Sequence, residues 1–174
     1  MKKLFFILFT IITVTGFAQT RYTVTASTVN YEIKNLGIKT RGTFGSLQHA
    51  DINFDPQHIE SSSIQAVVDV NQFNSGNSLR DEHVKGADFF DADNYPVITI
   101  KSVSLRSRSG NKFTGLFNLT IKNTTRKIEI PFTCTTTGNT SVFQAAFKIK
   151  RMDYGVGGST LTLSNDVSIT VNIQ

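Results

Sequence analysis

Most of the chain alternates apolar and polar residues with a period of two, a pattern that sends successive side chains to opposite faces of a β-strand. In the segment 112–121, Phe113 and Phe117 fall on the apolar side of this alternation, and the pattern recurs in several other segments. Pairs such as Gly138-Asn139 separate the runs and suit tight hairpin turns. Consecutive strands are therefore expected to be antiparallel neighbours with one solvent-facing side.

The runs and turns together predict eight strands. Many short strands with hairpin spacing and one apolar face are typical of a sandwich or a barrel. Because a closed barrel removes the exposed edges that a sandwich leaves, we expect an all-β, eight-stranded antiparallel up-and-down barrel, similar to a lipocalin. The predicted strands lie at residues 22–34, 37–54 with a bend near Gly45, 62–71, 97–106, 112–121, 125–136, 140–150 and 164–173.

The segment between the third and fourth predicted strands breaks the alternation and predicts one helix, from about 79 to 89. Ser78 can cap its N-terminus, and Asp81 lies three residues later, where an acidic side chain supports a capping box. Leu79, His83 and Ala87 share one face at i, i+4 spacing, and Val84 lies beside them. We expect that face to pack on the barrel.

The start of the 174-residue chain has the pattern of a secretory signal peptide. Two lysines precede an apolar run from Leu4 to Val14, and small residues follow up to Ala18. The run is too short to span a bilayer as a helix, which takes about 20 residues. We therefore expect a cleaved signal peptide at 1–18 and a single domain at 19–174, in the periplasm or outside the cell.

The charge of the chain argues against a nucleic-acid-binding protein. There are 18 Lys and Arg against 13 Asp and Glu, a net charge of +5, and loss of Lys2 and Lys3 with the signal peptide lowers this to +3. A nucleic-acid-binding face needs a dense group of cations to neutralise phosphates. We expect no nucleic-acid partner.

The groups that catalysis or metal binding requires are not clustered in the sequence. His49, His58 and His83 lie in separate segments without metal-ligand spacing. The only cysteine, Cys134, cannot form an intramolecular disulfide and is expected to be buried as a small apolar residue. The sequence predicts no catalytic residue, no metal and no cofactor.

The alternating strand directions predict that the helical segment and the loop beginning at Arg151 leave the barrel at the same end. This brings Arg80, Asp81 and His83 near Arg151 and Tyr154, although about 70 residues separate them. The other end has only short turns. Loops on a rigid scaffold often control access to a site, so we expect the site at the elaborate end.

Five phenylalanines are predicted to point into the barrel. An eight-stranded barrel is wide enough either to be filled by its own side chains or to hold one small ligand. The residues alone favour neither a packed aromatic core nor an apolar cavity. Phe89 and Phe90 are expected to plug the space under the helix. The five inward positions are Phe113, Phe117, Phe132, Phe143 and Phe147.

The stretch SLRDEHVKGADFFDADNYPVITIKS closely resembles the signature of the YceI-like family of lipocalin-like, polyisoprenoid-binding periplasmic proteins. GTFGSLQHADINFDP, FTGLFNLTIKNTTRKIEIPF, KIKRMDYGVGG and NDVSITVNI extend the resemblance over most of the chain. The sequence departs from the family at Lys122-Asn123, where a glycine-containing turn is common, and at Gly86-Ala87, where a serine is common. The resemblance implies a barrel around a long apolar tunnel that takes an isoprenoid or similar lipid chain, lined by the five phenylalanines.

At the mouth of such a tunnel, polar side chains would hold the head of the lipid. Arg80 and Arg151 could bind a phosphate or a quinone oxygen through their forked donors. Alternatively, the two arginines pair with Asp81 and Asp153 and only hold the loops in place. The candidate mouth residues are Arg80, Asp81, His83, Tyr95, Arg151 and Tyr154.

Three functions follow as hypotheses. The first is a secreted carrier or sequestering protein for a polyisoprenoid or other long-chain lipid. The second is a lipid-processing enzyme, with His83 as general base and Asp81 orienting it. The third is a structural barrel that binds a partner protein. Transient membrane contact for loading and a homodimer are left open.

Overall fold

The computed structural model describes residues 21–174, which form ten β-strands and one α-helix. The predicted signal peptide at 1–18 lies outside the described residues. The helix α1 is Ser78–Lys85, and short 3₁₀ turns lie at Ile59–Ser61, Val70–Gln72 and Arg151–Tyr154. The strands are β1 Arg21–Tyr22, β2 Ser27–Asn35, β3 Ile38–Thr43, β4 His49–Asn53, β5 Ser63–Asp69, β6 Val97–Ser107, β7 Lys112–Ile121, β8 Thr124–Thr137, β9 Thr140–Lys150 and β10 Leu163–Ile173.

All ten strands belong to one antiparallel sheet with the order β1-β4-β5-β6-β7-β8-β9-β10-β2-β3. From β5 to β10, neighbours in the chain are neighbours in the sheet, as the hairpin spacing predicts. β10 pairs with β9 on one side and with β2 on the other, which curls the sheet around its apolar face. The all-β antiparallel prediction is confirmed, whereas the number of strands is ten and not eight.

Two predicted strands are each divided in the structure. The predicted strand at 37–54 becomes β3 and β4, because the chain turns near Gly45, whose φ of +70° favours glycine. β3 stays beside β2, whereas β4 crosses to the other end of the sheet and pairs with β5. The predicted strand at 22–34 likewise becomes β1 and β2. The sheet is therefore a curled half-barrel with ends at β1 and β3, not a barrel closed by a continuous ladder.

The helix differs from its prediction in length, cap and orientation. Its N-cap is Asn77, whose side-chain oxygen accepts a hydrogen bond of 3.0 Å from the Arg80 backbone N–H. Leu79 is 77% exposed, and His83 and Ala87 are exposed as well, so these three residues do not pack on the sheet as predicted. Val84, which was expected on the same side, does pack on the apolar cluster of the sheet. None of the described helices is long and apolar enough to cross a bilayer.

The strand directions give the sheet two different ends, as predicted. The segment 70–96 with α1, the loop 151–162 and the turns at 36–37 and 122–123 all lie at one end, here called the mouth. The opposite end, here called the closed end, carries the connections 54–62, 108–111 and 138–139. Residues far apart in sequence therefore meet at the mouth.

The ladder between β8 and β9 stops halfway along the sheet. The paired residues run from Thr137 opposite Thr140 to Phe132 opposite Ala145, all towards the closed end. Residues 124–131 and 146–150 have no ladder partner in each other. On the mouth side, the 3₁₀ turn that contains Tyr154 contacts β8 instead, and Tyr154 is only 2% exposed. The wall of the half-barrel is closed there by side chains.

Candidate functional site

The inner face of the sheet encloses an apolar cavity of about 260 Å³. Each strand from β2 to β10 contributes lining side chains, because every strand turns its apolar face inward. The volume lies just below the range of about 300 to 1,000 Å³ that is usual for small-molecule pockets. The lining includes the exposed residues Asn35 and Arg80, so the cavity reaches the surface at the mouth.

Four of the five predicted inward phenylalanines line this cavity. The exception is Phe113, whose ring stacks on Phe132 with centroids 5.5 Å apart. Phe113 also meets Phe54 edge-to-face at 4.9 Å, and Phe54 is almost fully buried. This aromatic cluster fills the closed end of the sheet, so a packed core and a cavity coexist at different depths. The phenylalanines that line the cavity are Phe117, Phe132, Phe143 and Phe147.

Arg151 is a buried cation at the mouth and lines the cavity with 4% of its surface exposed. Its guanidinium donates four hydrogen bonds to backbone carbonyls: Nε to Ser164 at 2.9 Å, Nη1 to Val156 at 2.8 Å, and Nη2 to Gly158 at 3.0 Å and Leu163 at 3.2 Å. Burial lowers the pKa of this guanidinium. Arg151 therefore organises the loop 151–162.

The expected ion pairs of the two mouth arginines do not form. Among the described residues, neither Arg151 with Asp153 nor Arg80 with Asp81 makes a salt bridge. Arg80 donates from Nε to Ser75 Oγ at 2.7 Å and from Nη2 to the Ser75 carbonyl at 2.8 Å. Asp81 accepts from the Ser75 backbone N–H at 2.9 Å and from its hydroxyl. Ser75 thus links the two charged side chains.

Ser75, Arg80 and Asp81 form a polar group at the mouth, and Tyr31 extends this group into the cavity. Tyr31 was not among the predicted site residues. It is buried, lines the cavity and is hydrogen-bonded to the Ser75 side chain. Burial raises the pKa of Tyr31 from 10.0 to about 12, while the charge of Arg80 acts in the opposite direction. The alternation of Val29, Tyr31 and Ile33 in β2 is the sequence signal that places Tyr31 on the inner face.

Gly42 lies opposite Tyr31 in the β2–β3 ladder and allows a close approach of the 74–76 segment. A Cβ atom at residue 42 would overlap the Asn74 carbonyl oxygen and the Tyr31 hydroxyl. The adjacent Thr43 and Asn74 form an isolated bridge, with both backbone hydrogen bonds at 2.8 Å. Glycine at 42 therefore lets the polar group at the mouth assemble.

Lys122 joins the turn between β7 and β8 to two other segments of the mouth. It has a left-handed φ of +53°, where glycine or asparagine is usual. Its ammonium donates to the carbonyl of Phe89 at 3.0 Å and to that of Gly155 at 3.4 Å, and lies 5.9 Å from the centre of the Tyr95 ring. The lysine therefore connects the β7–β8 turn to both neighbouring loops.

The remaining predicted mouth residues lie around the cavity and do not line it. His83 is exposed, and its ring meets Phe89 edge-to-face at 5.0 Å. Tyr95 lies half-buried beneath Lys122. Tyr154 packs with Leu119 in the wall between β8 and β9, and burial raises its pKa. Phe89 and Phe90 do line the cavity, next to the helix where a plug was expected.

The geometry at the mouth does not support the alternative hypothesis of an enzyme in which Asp81 orients His83 as a general base. The Asp81 carboxylate accepts two hydrogen bonds from Ser75, and no hydrogen bond joins Asp81 to His83 within residues 21–174. Residues two apart on a helix point in different directions, which explains their separation. No group of three or more potential metal ligands is found in the described part of the chain. Cys134 is half-buried, and burial raises its pKa.

Comparison with known proteins identifies relatives of this chain in several bacteria. A UPF0312 protein of Vibrio parahaemolyticus is 30% identical over 105 residues, which are 60% of this chain and 55% of the relative. A UPF0312 protein of Yersinia pestis is 22% identical over 154 residues, 84% of this chain and 79% of the relative. The chain thus spans about half the length of the Vibrio relatives it matches.

Solved structures share the fold. BcnA of Burkholderia cenocepacia superposes with a TM-score of 0.80 at 30% identity, covering 84% of this chain and 94% of BcnA. A polyisoprenoid-binding domain from Saccharophagus degradans superposes with a TM-score of 0.69 at 17% identity, covering 86% of this chain and 94% of that domain. The sequence model of the YceI-like domain family matches residues 21–174, which include the whole of the described sheet and helix. The chain therefore belongs to the YceI-like domain family.

Proposed function

We propose that the protein binds a polyisoprenoid or a similar long apolar chain in its cavity and carries or sequesters it without covalent chemistry. The observation that carries this proposal is the apolar cavity, which is lined by β2 to β10 and reaches the surface at the mouth. Membership of the YceI-like family supports it. The polyisoprenoid-binding domain of Saccharophagus degradans, which has the same fold, also supports it.

The energetics favour such a ligand. Each methylene that leaves water contributes roughly 0.8 kcal/mol, so a chain with about ten buried carbons outweighs the cost of ordering it. The aromatic cluster around Phe54 blocks the closed end, so we propose that the chain enters at the mouth. A cavity of about 260 Å³ takes only part of a long polyprenyl chain, and the rest would extend through the mouth.

We propose that the head of the lipid lies near Arg80 and carries oxygen acceptors. Arg80 is exposed, borders the cavity and holds only Ser75 through its guanidinium, so its other N–H groups can reach a ligand. Arg151 has already donated four of its five N–H groups to carbonyls. Its buried charge would attract an anionic head, with Arg80 providing the main hydrogen bonds.

We propose that the protein acts after export, in the periplasm or outside the cell. The signal-peptide pattern of residues 1–18 supports this location. N-terminal sequencing of the protein recovered from the periplasm should begin at Gln19. Recovery of the chain only in the cytoplasm, with residues 1–18 attached, would contradict the proposal. The homodimer stays a prediction, which the molar mass in solution would test.

The function is tested by mass spectrometry of an organic extract of the purified protein, combined with titration of a fluorescent prenyl probe. Ala145 and Ala146 offer a matched pair in β9, because Ala145 lines the cavity and Ala146 is exposed. Ala145→Phe should fill part of the cavity and weaken probe binding at least tenfold. Ala146→Phe should bind like the wild type.

Three results of this experiment separate the hypotheses. A stoichiometric lipid in the extract, with the two alanine variants differing as expected, supports a carrier. Conversion of that lipid by the protein favours the enzyme. A clean extract together with equal probe binding by Ala145→Phe and the wild type contradicts a ligand in the cavity and leaves the structural barrel.

A further inference from the structure

Large apolar side chains are exposed almost only around the mouth. Leu36 lies in the β2–β3 turn and Ile38 follows it, Leu79 lies in the first turn of α1, and Met152 and Leu161 lie in the loop 151–162. Within residues 21–174, the single other exposed large apolar side chain is Val103 on β6. The closed-end connections expose none in the same range. The apolar exposure is therefore concentrated at the end where the cavity opens.

Leu36 is the most unusual of these residues. It is 72% exposed and has a φ of +51°, so it is a leucine at a left-handed position of a tight turn. Asn, Asp and Gly are the usual residues in such turns, because a branched side chain is strained there. Leu36 does not line the cavity, and its exposure gives it little packing within the molecule. The position therefore holds an apolar side chain outward at an energetic cost.

A cluster of cations without salt-bridge partners among the described residues lies on the β8–β9 flank of the mouth, and Arg126 in it donates only to the Asp153 carbonyl, at 3.4 Å. Arg126, Lys127, Lys148 and Lys150 line a surface cleft of about 440 Å³, together with Asp153 and Asp166. None of these four cations makes a salt bridge with a carboxylate of residues 21–174. The cleft thus has two more positive than negative side chains and is complementary to an anionic surface.

We propose that the mouth docks on an anionic lipid bilayer. The tips Leu36, Ile38, Leu79 and Leu161 enter the headgroup region, and the cations of the β8–β9 cleft contact lipid phosphates. This inference rests on the proposed function, in which a lipid passes between a membrane and the cavity. Docking by the mouth lets an apolar chain make that passage without crossing water.

A bilayer fits these observations better than a protein partner does. The apolar tips belong to three separate segments, the β2–β3 turn, α1 and the loop 151–162. A lipid surface can take up separate apolar side chains one by one. Exposed acidic residues, Glu82 and Asp88, lie on the α1 flank. The β8–β9 cleft should therefore attract lipid phosphates more strongly than the α1 flank does.

Co-sedimentation with vesicles tests the apolar tips. The probes are vesicles of phosphatidylcholine alone and of an equal mixture of phosphatidylcholine and phosphatidylglycerol. The test variant is Leu36→Asn combined with Leu161→Ser, in which the asparagine tolerates the left-handed turn. We expect its binding to the mixed vesicles to weaken about tenfold for each leucine removed. Val103→Ser, which removes the exposed apolar side chain away from the mouth, should bind like the wild type.

A second variant tests the cations. Lys127→Glu combined with Lys148→Glu reverses the charge of the cleft at two exposed positions. We expect it to lose at least tenfold in binding to the mixed vesicles, whereas its weaker binding to phosphatidylcholine alone should not change. Added salt should weaken wild-type binding to the mixed vesicles in the same way.

A prenyl-probe titration without vesicles keeps the docking and the function apart. If the wild type binds the probe but sediments with neither vesicle, the docking is wrong and the proposed function stands. If it sediments with the mixed vesicles but binds no probe, the docking stands and the proposed function is wrong. Equal sedimentation of the wild type and the Leu36→Asn, Leu161→Ser variant would overturn the docking.

Discussion

The ammonium of Lys122 donates a hydrogen bond of 3.0 Å to the carbonyl oxygen of Phe89, and so fixes the segment after α1 to the β7–β8 turn. The same ammonium reaches Gly155 in the loop 151–162. Three of the four mouth connections therefore meet at one side chain. The left-handed backbone of Lys122 is the energetic cost of that arrangement.

Substitutions at residue 122 should separate the effect of backbone strain on stability from the effect of the hydrogen bonds that the ammonium donates. Lys122→Met keeps the left-handed strain and loses the hydrogen bonds, so it should lower the free energy of unfolding by about 1 to 2 kcal/mol. Lys122→Gly also loses the hydrogen bonds but relieves the strain, so it should be close to the wild type. Urea unfolding measures both. Equal destabilisation by the two substitutions would contradict this assignment.

Arg151 should be important for stability because four backbone carbonyls depend on it. Arg151→Lys keeps the charge, but the ammonium has only three donors and no fork. We expect it to destabilise the protein by about 3 kcal/mol, with buried carbonyls left unpaired. The control is Arg126→Lys at an exposed position, which should change stability by less than about 0.5 kcal/mol. Unfolding in urea gives both values.

Tyr31 should make the protein sensitive to strong alkali. Its pKa is raised by burial from 10.0 to about 12, so the folded state favours the neutral phenol. The resulting stability is fully present below pH 10 and is lost as the pH rises from about 10 towards 12. Tyrosinate absorbance should therefore show a late step that disappears in Tyr31→Phe. A Tyr31→Phe protein with an unchanged titration would contradict this.

Gly42 should tolerate no side chain. In Gly42→Ala, the new Cβ would overlap the Asn74 backbone carbonyl, which cannot turn away as a flexible side chain could. We expect a loss of about 2 to 4 kcal/mol in the free energy of unfolding. Gly158→Ala is the control, because nothing lies within 4 Å of a Cβ there. Thermal unfolding of the two variants checks the difference, and similar melting temperatures would refute the steric argument.

The sequence predicts the fold well where pairing is local. β6 to β10 follow one another as hairpins, and their alternation and turn residues locate them to within a few positions. The division of the segment 37–54 into the two strands β3 and β4 is harder to predict from the sequence. Both halves alternate well enough to read as one strand, and only the three-dimensional path shows that Gly45 sends them to opposite ends of the sheet.

The site is predictable in its apolar part and less so in its polar part. Inward-facing residues such as Phe117 and Phe147 follow from the period of two. The period of two does not predict that Phe113 lies below the cavity, in the aromatic cluster of the closed end. That position depends on contact with Phe54, which belongs to the connection 54–62, far away in the sequence. The partners of Arg151 are backbone carbonyls, which carry no residue-specific signal in a sequence. A search for charged partners therefore proposes Asp153 instead.

The interrupted ladder between β8 and β9 makes the wall of the half-barrel deformable near the mouth. Near the mouth, the two strands meet through the ring of Tyr154 and the branched side chains of Ile128 and Ile149, not through peptide groups. Moving them apart changes packing but breaks no inter-strand peptide hydrogen bond. The width of the cavity can therefore adjust to ligands of different thickness. The free-energy cost of this adjustment is lower than it would be if β8 and β9 were hydrogen-bonded along their whole length.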